Sequence, residues 1–267
     1  MVGGIVHNSE YSMVKAPEIL TRDDGGTIAY HRIIGKSPGV MFLTGFKSDM
    51  TGSKAIALEE LCRRRGQGFI RFDYFGHGQS SGAFEDGTIG RWKDDAICTL
   101  DQLTEGPQVI VGSSMGGWIM LLTALARPKR IAGLVGTAAA PDFTEDLMPD
   151  AFSEQQKQQL ESHGYTEVPN CYDEEPYKIT KALLDDGRDH LVLRDEMPLD
   201  CPVRLIHGID DEDVPWRTSQ NIAEKIRSQD VETLFVKNGD HRLSEPHDLD
   251  RLCRTTERLL DQLEQRY

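Results

Sequence analysis

The chain contains no apolar run approaching the roughly 18–20 residues that a membrane-spanning helix needs. It has no basic excess either, since 30 Lys and Arg stand against 44 Asp and Glu, for a formal charge of −14. Nucleic acid and anionic membrane surfaces would repel such a chain, which argues against both as partners. Cysteine is sparse and scattered: Cys62, Cys98, Cys171, Cys201 and Cys253 form no C-x-x-C pair and no zinc-ligand spacing. That pattern argues against a disulfide framework and for reduced thiols in a cytosol-like compartment. Residues Met1 to Glu10 lack the basic region and apolar core of a secretory signal, and they are poor in the arginine of a transit peptide. A cytoplasmic protein is therefore expected, with the mitochondrial matrix as the alternative if a transit peptide has been removed. The run Asp73…Gly76-His77-Gly78…Ser80 lacks G-x-G-x-x-G spacing and a Walker lysine, and the acidic stretch at Asp210–Asp213 lacks calcium-loop spacing. Neither a cofactor nor a metal is implied.

What is present is a chain of 267 residues, 38% apolar and 28% charged, long enough for a sizeable core. Glu18 to Thr21 and Thr27 to Ile33 read as strands joined by a turn at Arg22–Gly26. Val40–Leu43, Gly68–Asp73, Gln108–Gly112 and Ile131–Gly136 are short apolar runs suited to strands buried on both faces. Between them, Ser53–Arg65, Ile89–Leu103 and Trp118–Ala126 carry helical spacing. The triplet Arg63-Arg64-Arg65 before Gly66 suits a helix C-terminus, where cations complement the dipole. This alternation predicts an α/β fold with a mostly parallel sheet and helices on both faces. From Ala138-Ala139-Ala140-Pro141 to about Pro198 the chain turns acidic and polar. Helices are expected there near Ser153–Ser162 and Pro176–Asp185, with Pro169, Cys171 and Tyr172 between them and no buried-strand signal. We read 1–140 and 200–267 as the core and 141–199 as a small helical cap, only marginally long enough to fold alone. Strand logic resumes at Pro202–Gly208 and Val231–Val236, followed by a closing helix over Asp248–Glu264 with Leu252, Leu259, Leu260 and Leu263 on one face.

The chemistry centres on Gly112-Ser113-Ser114-Met115-Gly116. This G-x-S-x-G sequence between a strand and a helix is the nucleophile-elbow pattern, which places Ser114 at a helix N-terminus. A serine needs a base, a group that orients the base, and donors for an oxyanion. His241, in the loop after the last strand, is the expected base. In His207-Gly208-Ile209-Asp210-Asp211-Glu212-Asp213-Val214-Pro215, the spacing H-G-x-x-D-x-x-V-P selects Asp211 as the orienting carboxylate and leaves His207 as a strand-end hydrogen-bonding residue. The backbone N–H groups of Phe46 and Met115 are the expected oxyanion donors. His77, Trp118 and Trp216 are read as packing or pocket-wall residues.

The segments Ile70–Gly82, Gly112–Trp118, Cys201–Trp216 and Gly239–Arg242, with Lys54–Cys62, resemble one group within the α/β-hydrolase superfamily: mitochondrial esterases and thioesterases and their bacterial carboxylesterase relatives. The resemblance covers most of the core and weakens across the cap. It implies a serine hydrolase acting on acyl-glucuronide-type esters or S-acyl thioesters, with the roles falling on Ser114, Asp211 and His241. The expected substrate is a small-molecule ester or thioester, or an S-acylated protein; acyl chain length, leaving group and oligomeric state are not legible. The same fold also carries aminopeptidases, C–C hydrolases, acyltransferases and non-catalytic binding proteins that keep the triad, and these stay open as alternatives.

Overall fold

The computed structural model describes residues 16–169 and 176–265. The N-terminal residues Met1 to Glu10, Cys171 and Tyr172, on which some expectations rest, lie outside them. Glu18–Thr21 (β1) and Thr27–Ile33 (β2) form an antiparallel hairpin whose turn is closed by Arg22 N–H donating to the Gly26 carbonyl at 2.8 Å. Then follow Lys36–Leu43 (β3), Ser53–Arg65 (α1), Gln67–Phe72 (β4), Ile89–Leu103 (α2), Gln108–Ser113 (β5), Met115–Ala126 (α3) and Ile131–Thr137 (β6). β3 begins four residues before its apolar run, with an irregularity in pairing between Lys36 and Val40. α1 ends on Gly66 in the left-handed region, and Arg65 reaches across to Asp261 at 2.7 Å and Glu257 at 3.1 Å. That arginine thus ties two helices together besides complementing the dipole.

The chain between β6 and the next core strand holds Phe143–Asp146 (α4), Met148–Ala151 (α5), Glu154–His163 (α6), Tyr165–Val168 (β7), Tyr177–Thr180 (β8) and Lys181–Arg188 (α7). α6 starts with a capping box, in which Ser153 and Gln156 satisfy each other's backbone N–H. The expectations of a helix from Pro176 and of no strand in this stretch are corrected here. Tyr177–Thr180 pairs antiparallel with Tyr165–Val168, and the helix begins only at Lys181, with the Thr180 hydroxyl accepting the Leu183 N–H at 3.2 Å. The physical reason is that Ile179 and Leu183 stand at helical spacing, but Tyr177, Ile179 and Thr180 favour a strand once a partner strand is at hand.

The core then resumes with Val203–Gly208 (β9), Arg217–Lys225 (α8), Val231–Val236 (β10) and Pro246–Glu264 (α9). The main sheet has eight strands in the order β1-β2-β4-β3-β5-β6-β9-β10, antiparallel at the β1 and β2 edge and parallel from β4 onward. Alternate residues of each central strand feed two separate apolar layers. Met41, Leu43, Ile110, Leu134 and Leu205 pack on the side of α2, α3 and α8, while Val40, Phe42, Val109, Val111 and Ile206 pack under α1 and α9. Burial on both faces explains why these strands read as continuous apolar runs rather than alternating ones. Because β3, β5, β6, β9 and β10 run the same way, the loops after them gather at one edge.

Candidate active site

Ser114 follows β5 and caps α3 in a conformation ordinary residues avoid, with φ 53° and ψ −122°. The strain is held by backbone bonds on both sides of the turn. Ser114 N–H donates to the Thr137 carbonyl at 3.0 Å, and the Ser114 carbonyl accepts from Gly117 and Ala140 at 2.8 and 3.0 Å. A side chain at Gly112 would run into the Gly116 carbonyl, and one at Gly116 would run into the carbonyls of Leu43 and Thr44. The two glycines therefore let the helix start against β3 and β5, which is what aims the serine outward.

His241 and Asp211 arrive from the loops after β10 and β9. His241 Nε2 lies 2.9 Å from Ser114 Oγ, and its Nδ1 lies 2.8 Å from Asp211 Oδ2. The two loops are bound to each other, as Ile209 N–H donates to the Val236 carbonyl and Asp210 N–H to that of Gly239, at 2.9 and 3.0 Å. Asp211 is fully engaged: Oδ1 accepts the N–H groups of Asp213 and Val214 at 3.0 and 2.8 Å, while His207 Nε2 lies 3.1 Å from Oδ2. Burial works against ionisation, but the hydrogen bonds from His207, His241 and Val214 outweigh it and hold the carboxyl below the usual carboxylate range.

The Gly45–Asp49 loop after β3 faces this pair. Lys47 has φ 54°, and its N–H donates to His77 Nε2 at 3.2 Å, while His77 Nδ1 lies 3.1 Å from the Phe75 carbonyl. The Nδ1–H tautomer satisfies both bonds. Burial pushes the His77 imidazole down to about 4, so the ring stays neutral near neutral pH and keeps its acceptor for the loop. Phe46 directs its ring into an aromatic group, edge-on to Phe84, Phe143 and Tyr177.

Ser114 and His241 open into a cavity of about 700 Å³. The stretch between β6 and β9 supplies an apolar part of its wall, with Phe143, Leu147, Met148, Val168, Tyr177 and Ile179; Phe46 and Met115 line it from the core. Charged groups, among them Lys47, Asp49, Lys54, Glu212 and Arg242, stand elsewhere around it.

A model of the alpha/beta hydrolase fold matches residues 40–171. The bovine mitochondrial palmitoyl-protein thioesterase ABHD10 is 42% identical over 245 residues, 91% of this chain and 80% of that protein. The chain belongs to the α/β-hydrolase family. The solved structure of mouse alpha/beta hydrolase domain-containing protein 10 superposes on it with a TM-score of 0.86 at 39% identity, over 93% of this chain and 100% of the mouse chain. A hydrolase from Agrobacterium vitis S4 matches as well in shape, with a TM-score of 0.86 at 37% identity over 92% and 97% of the two chains. The mammalian relatives are named as mitochondrial, which does not support the cytoplasmic expectation and agrees with its alternative.

Within this α/β-hydrolase, the three residues read as packing or pocket wall lie off the cavity lining and serve packing. His77 is buried behind the Gly45–Asp49 loop. Trp118 is buried beneath Phe143 and donates its indole N–H to the His190 carbonyl at 3.0 Å. Trp216 packs edge-on against Phe235, with the Arg217 guanidinium over its ring. Large aromatics near a site are more often packing than lining, because their area is what fills the layer between helix and sheet.

Two features escaped sequence reasoning. Lys54, in the first turn of α1, donates to the Arg242 carbonyl and so grips the loop that carries His241. Burial pushes its ammonium down to about 8 against the pull of Asp240 and Asp248. The second is the sharing of Asp211 between two histidines. Asp211, Asp213 and His241 also offer ligand atoms within 4.8 Å of one another, the spacing of a cation site. Both carboxylate oxygens of Asp211 and both ring nitrogens of His241 are already engaged, so a cation would have to break those bonds first.

Proposed function

We propose that this α/β-hydrolase is a serine hydrolase that cleaves carboxylic esters and thioesters through Ser114, His241 and Asp211. The observation that carries the reading is the pair of contacts at 2.9 and 2.8 Å that link Ser114 Oγ through His241 to Asp211 at the mouth of a partly apolar cavity. Ser114 Oγ attacks the acyl carbonyl while His241 Nε2 takes its proton, and Asp211 stabilises the imidazolium that forms. The N–H groups of Phe46 and Met115 receive the oxyanion. Collapse of the tetrahedral intermediate breaks the bond to the alcohol or thiol, which leaves with the proton from His241. Water, deprotonated by the same imidazole, then releases the acid from the Ser114 acyl-enzyme.

Residues 141–199 act in this reading as the cap, and their apolar side chains receive the acyl group. The relatives' name supports S-acyl thioesters, small or protein-borne, as the preferred substrates. Their stated compartment supports the mitochondrial matrix as this chain's location. The test is mass spectrometry after treatment with a fluorophosphonate, together with turnover of matched p-nitrophenyl esters, acyl thioesters and aminoacyl amides. A single adduct on Ser114, and loss of both adduct and turnover in Ser114→Ala by a factor on the order of 10⁶ in kcat, is the expected result. Retention of most activity in that variant, or amides cleaved faster than esters and thioesters, would overturn it.

A further inference from the structure

His207 is the penultimate residue of β9, with its side chain wholly buried. Around its Nε2 stand two oxygens, Asp211 Oδ2 at 3.1 Å and the Val214 carbonyl at 3.0 Å. An ionised carboxylate and a carbonyl only accept, so Nε2 must carry the proton. Its Nδ1 is then the acceptor for the Ser219 hydroxyl of α8 at 2.7 Å. The tautomer follows from the partners, and the ring has no second orientation that satisfies both ends.

Asp211 Oδ2 thus receives two imidazole N–H groups, one from His207 and one from His241 at 2.8 Å. We propose that His207, held by Ser219, is a positioning residue for the Ser114 reaction, aiming Asp211 Oδ2 at His241 and sharing that oxygen's charge. The proposal rests on the reading of Ser114, His241 and Asp211 given above. Each end of the chain Ser219–His207–Asp211–His241–Ser114 is anchored in a different element, so a shift of α8 against β9 is transmitted to the base. The charged and titratable groups on the two loops that carry this chain are Asp210, Asp211, Glu212 and Asp213 on one and Asp240, His241 and Arg242 on the other. α8 contributes the uncharged Ser219, and β10 sets Phe235 opposite His207 in register.

The consequence has a sign. An oxygen that already receives one N–H stabilises an imidazolium less than a bare carboxylate oxygen does. Losing the His207 donor therefore strengthens the hold of Asp211 on protonated His241, and the base becomes available only at higher pH. A role confined to packing would lower activity or stability and leave the position of the pH profile unmoved.

The experiment follows kcat/KM for a p-nitrophenyl ester between about pH 5 and pH 9, with melting temperatures and fluorophosphonate labelling, in the parent, His207→Gln, His207→Phe and Ser219→Ala. His207→Phe keeps the ring volume and removes the donor; its acid limb should move up by about 0.5 pH unit or more, with a plateau about tenfold lower. Ser219→Ala should move the limb the same way by less. His207→Gln can keep an N–H toward Asp211 and should stay within about threefold of the parent with its limb in place. Should His207→Phe fail to fold, Ser219→Ala decides, a raised limb supporting the proposal and an unmoved one overturning it. Coincident acid limbs in all variants, or a limb displaced as far in His207→Gln as in His207→Phe, would also overturn it. Labelling of Ser114 in the parent separates these failures from a failure of the underlying mechanism.

Discussion

The cavity has two kinds of wall, and they are built on opposite principles. At the sheet edge, Ser114, Asp211 and His241 sit on short loops pinned to strands, and nearly every polar atom among them has a directional partner. Across the cavity, Phe143, Leu147, Met148, Val168, Tyr177 and Ile179 offer apolar area with little directional bonding. That side is closed on itself by polar bonds. Chief among them are those of Asp142, buried at φ 59°, whose two carboxylate oxygens accept the N–H groups of Val192 and Leu193 at 2.9 Å each. One residue at the start of the 141–199 segment thus holds the backbone near its end. The contrast teaches where tolerance lies: proton transfer needs atoms held to within tenths of an ångström, whereas acyl binding needs only area and volume.

If that contrast is right, damage to the directional wall should dwarf damage to the apolar one. Asp211→Asn keeps the shape but presents the wrong hydrogen-bonding partner to His241, and kcat should fall by about 10⁴. A fall of less than tenfold in steady-state turnover would remove Asp211 from the mechanism. Asp142→Ala comes next, because it strands two buried N–H groups. Chemical denaturation should show a loss of about 3 kcal/mol, and a loss below about 0.5 kcal/mol would mean the two ends are held by packing alone.

The third test concerns the loop that carries Phe46. His77 is neutral in the fold down to about pH 4, whereas an unfolded histidine takes up a proton near pH 6.5. The unfolded state then binds more protons between those values, so the stability His77 contributes is present above about pH 6.5 and is lost as pH falls through about 4. His77→Gln should flatten the decline in melting temperature across that window by the equivalent of about 2 kcal/mol. Parallel curves for parent and variant would show that the ring titrates normally. The smallest effect is expected on the apolar wall. Met148→Ala should lower kcat/KM for an octanoyl ester relative to an acetyl ester by about fivefold to tenfold, leaving acetyl turnover nearly unchanged. Equal losses on both esters would place Met148 in the chemistry rather than in acyl binding.

The legibility of the molecule divides along the same line. The elbow was readable because Val109–Gly117 packs strand, turn and helix start into a few residues, and because its glycines answer to close approaches within that same unit. His241 and Asp211 were readable from their places after strands, a consequence of parallel topology. For Trp118, Trp216 and His77 residue type leaves packing and pocket wall both open, and the structure shows packing and loop support. The pairing of Tyr165–Val168 with Tyr177–Thr180 was hidden because a four-residue strand carries little periodicity, and its partner decides its conformation.

By itself, then, the sequence determined the alternation of strand and helix, the burial of the central strands on both faces, and the identity of the residues at the parallel edge. These follow from local periodicity and from the spacing of glycine, serine, aspartate and histidine along the chain. Only the tertiary structure decided that Asp142 closes the 141–199 segment, that Lys54 grips the His241 loop, and that one oxygen of Asp211 serves two histidines. Apart from the local His207–Asp211 contact, those bonds join residues separated by tens to nearly two hundred positions. Hydrogen bonds over such separations depend on where the layers bring the chain back, which no local pattern records.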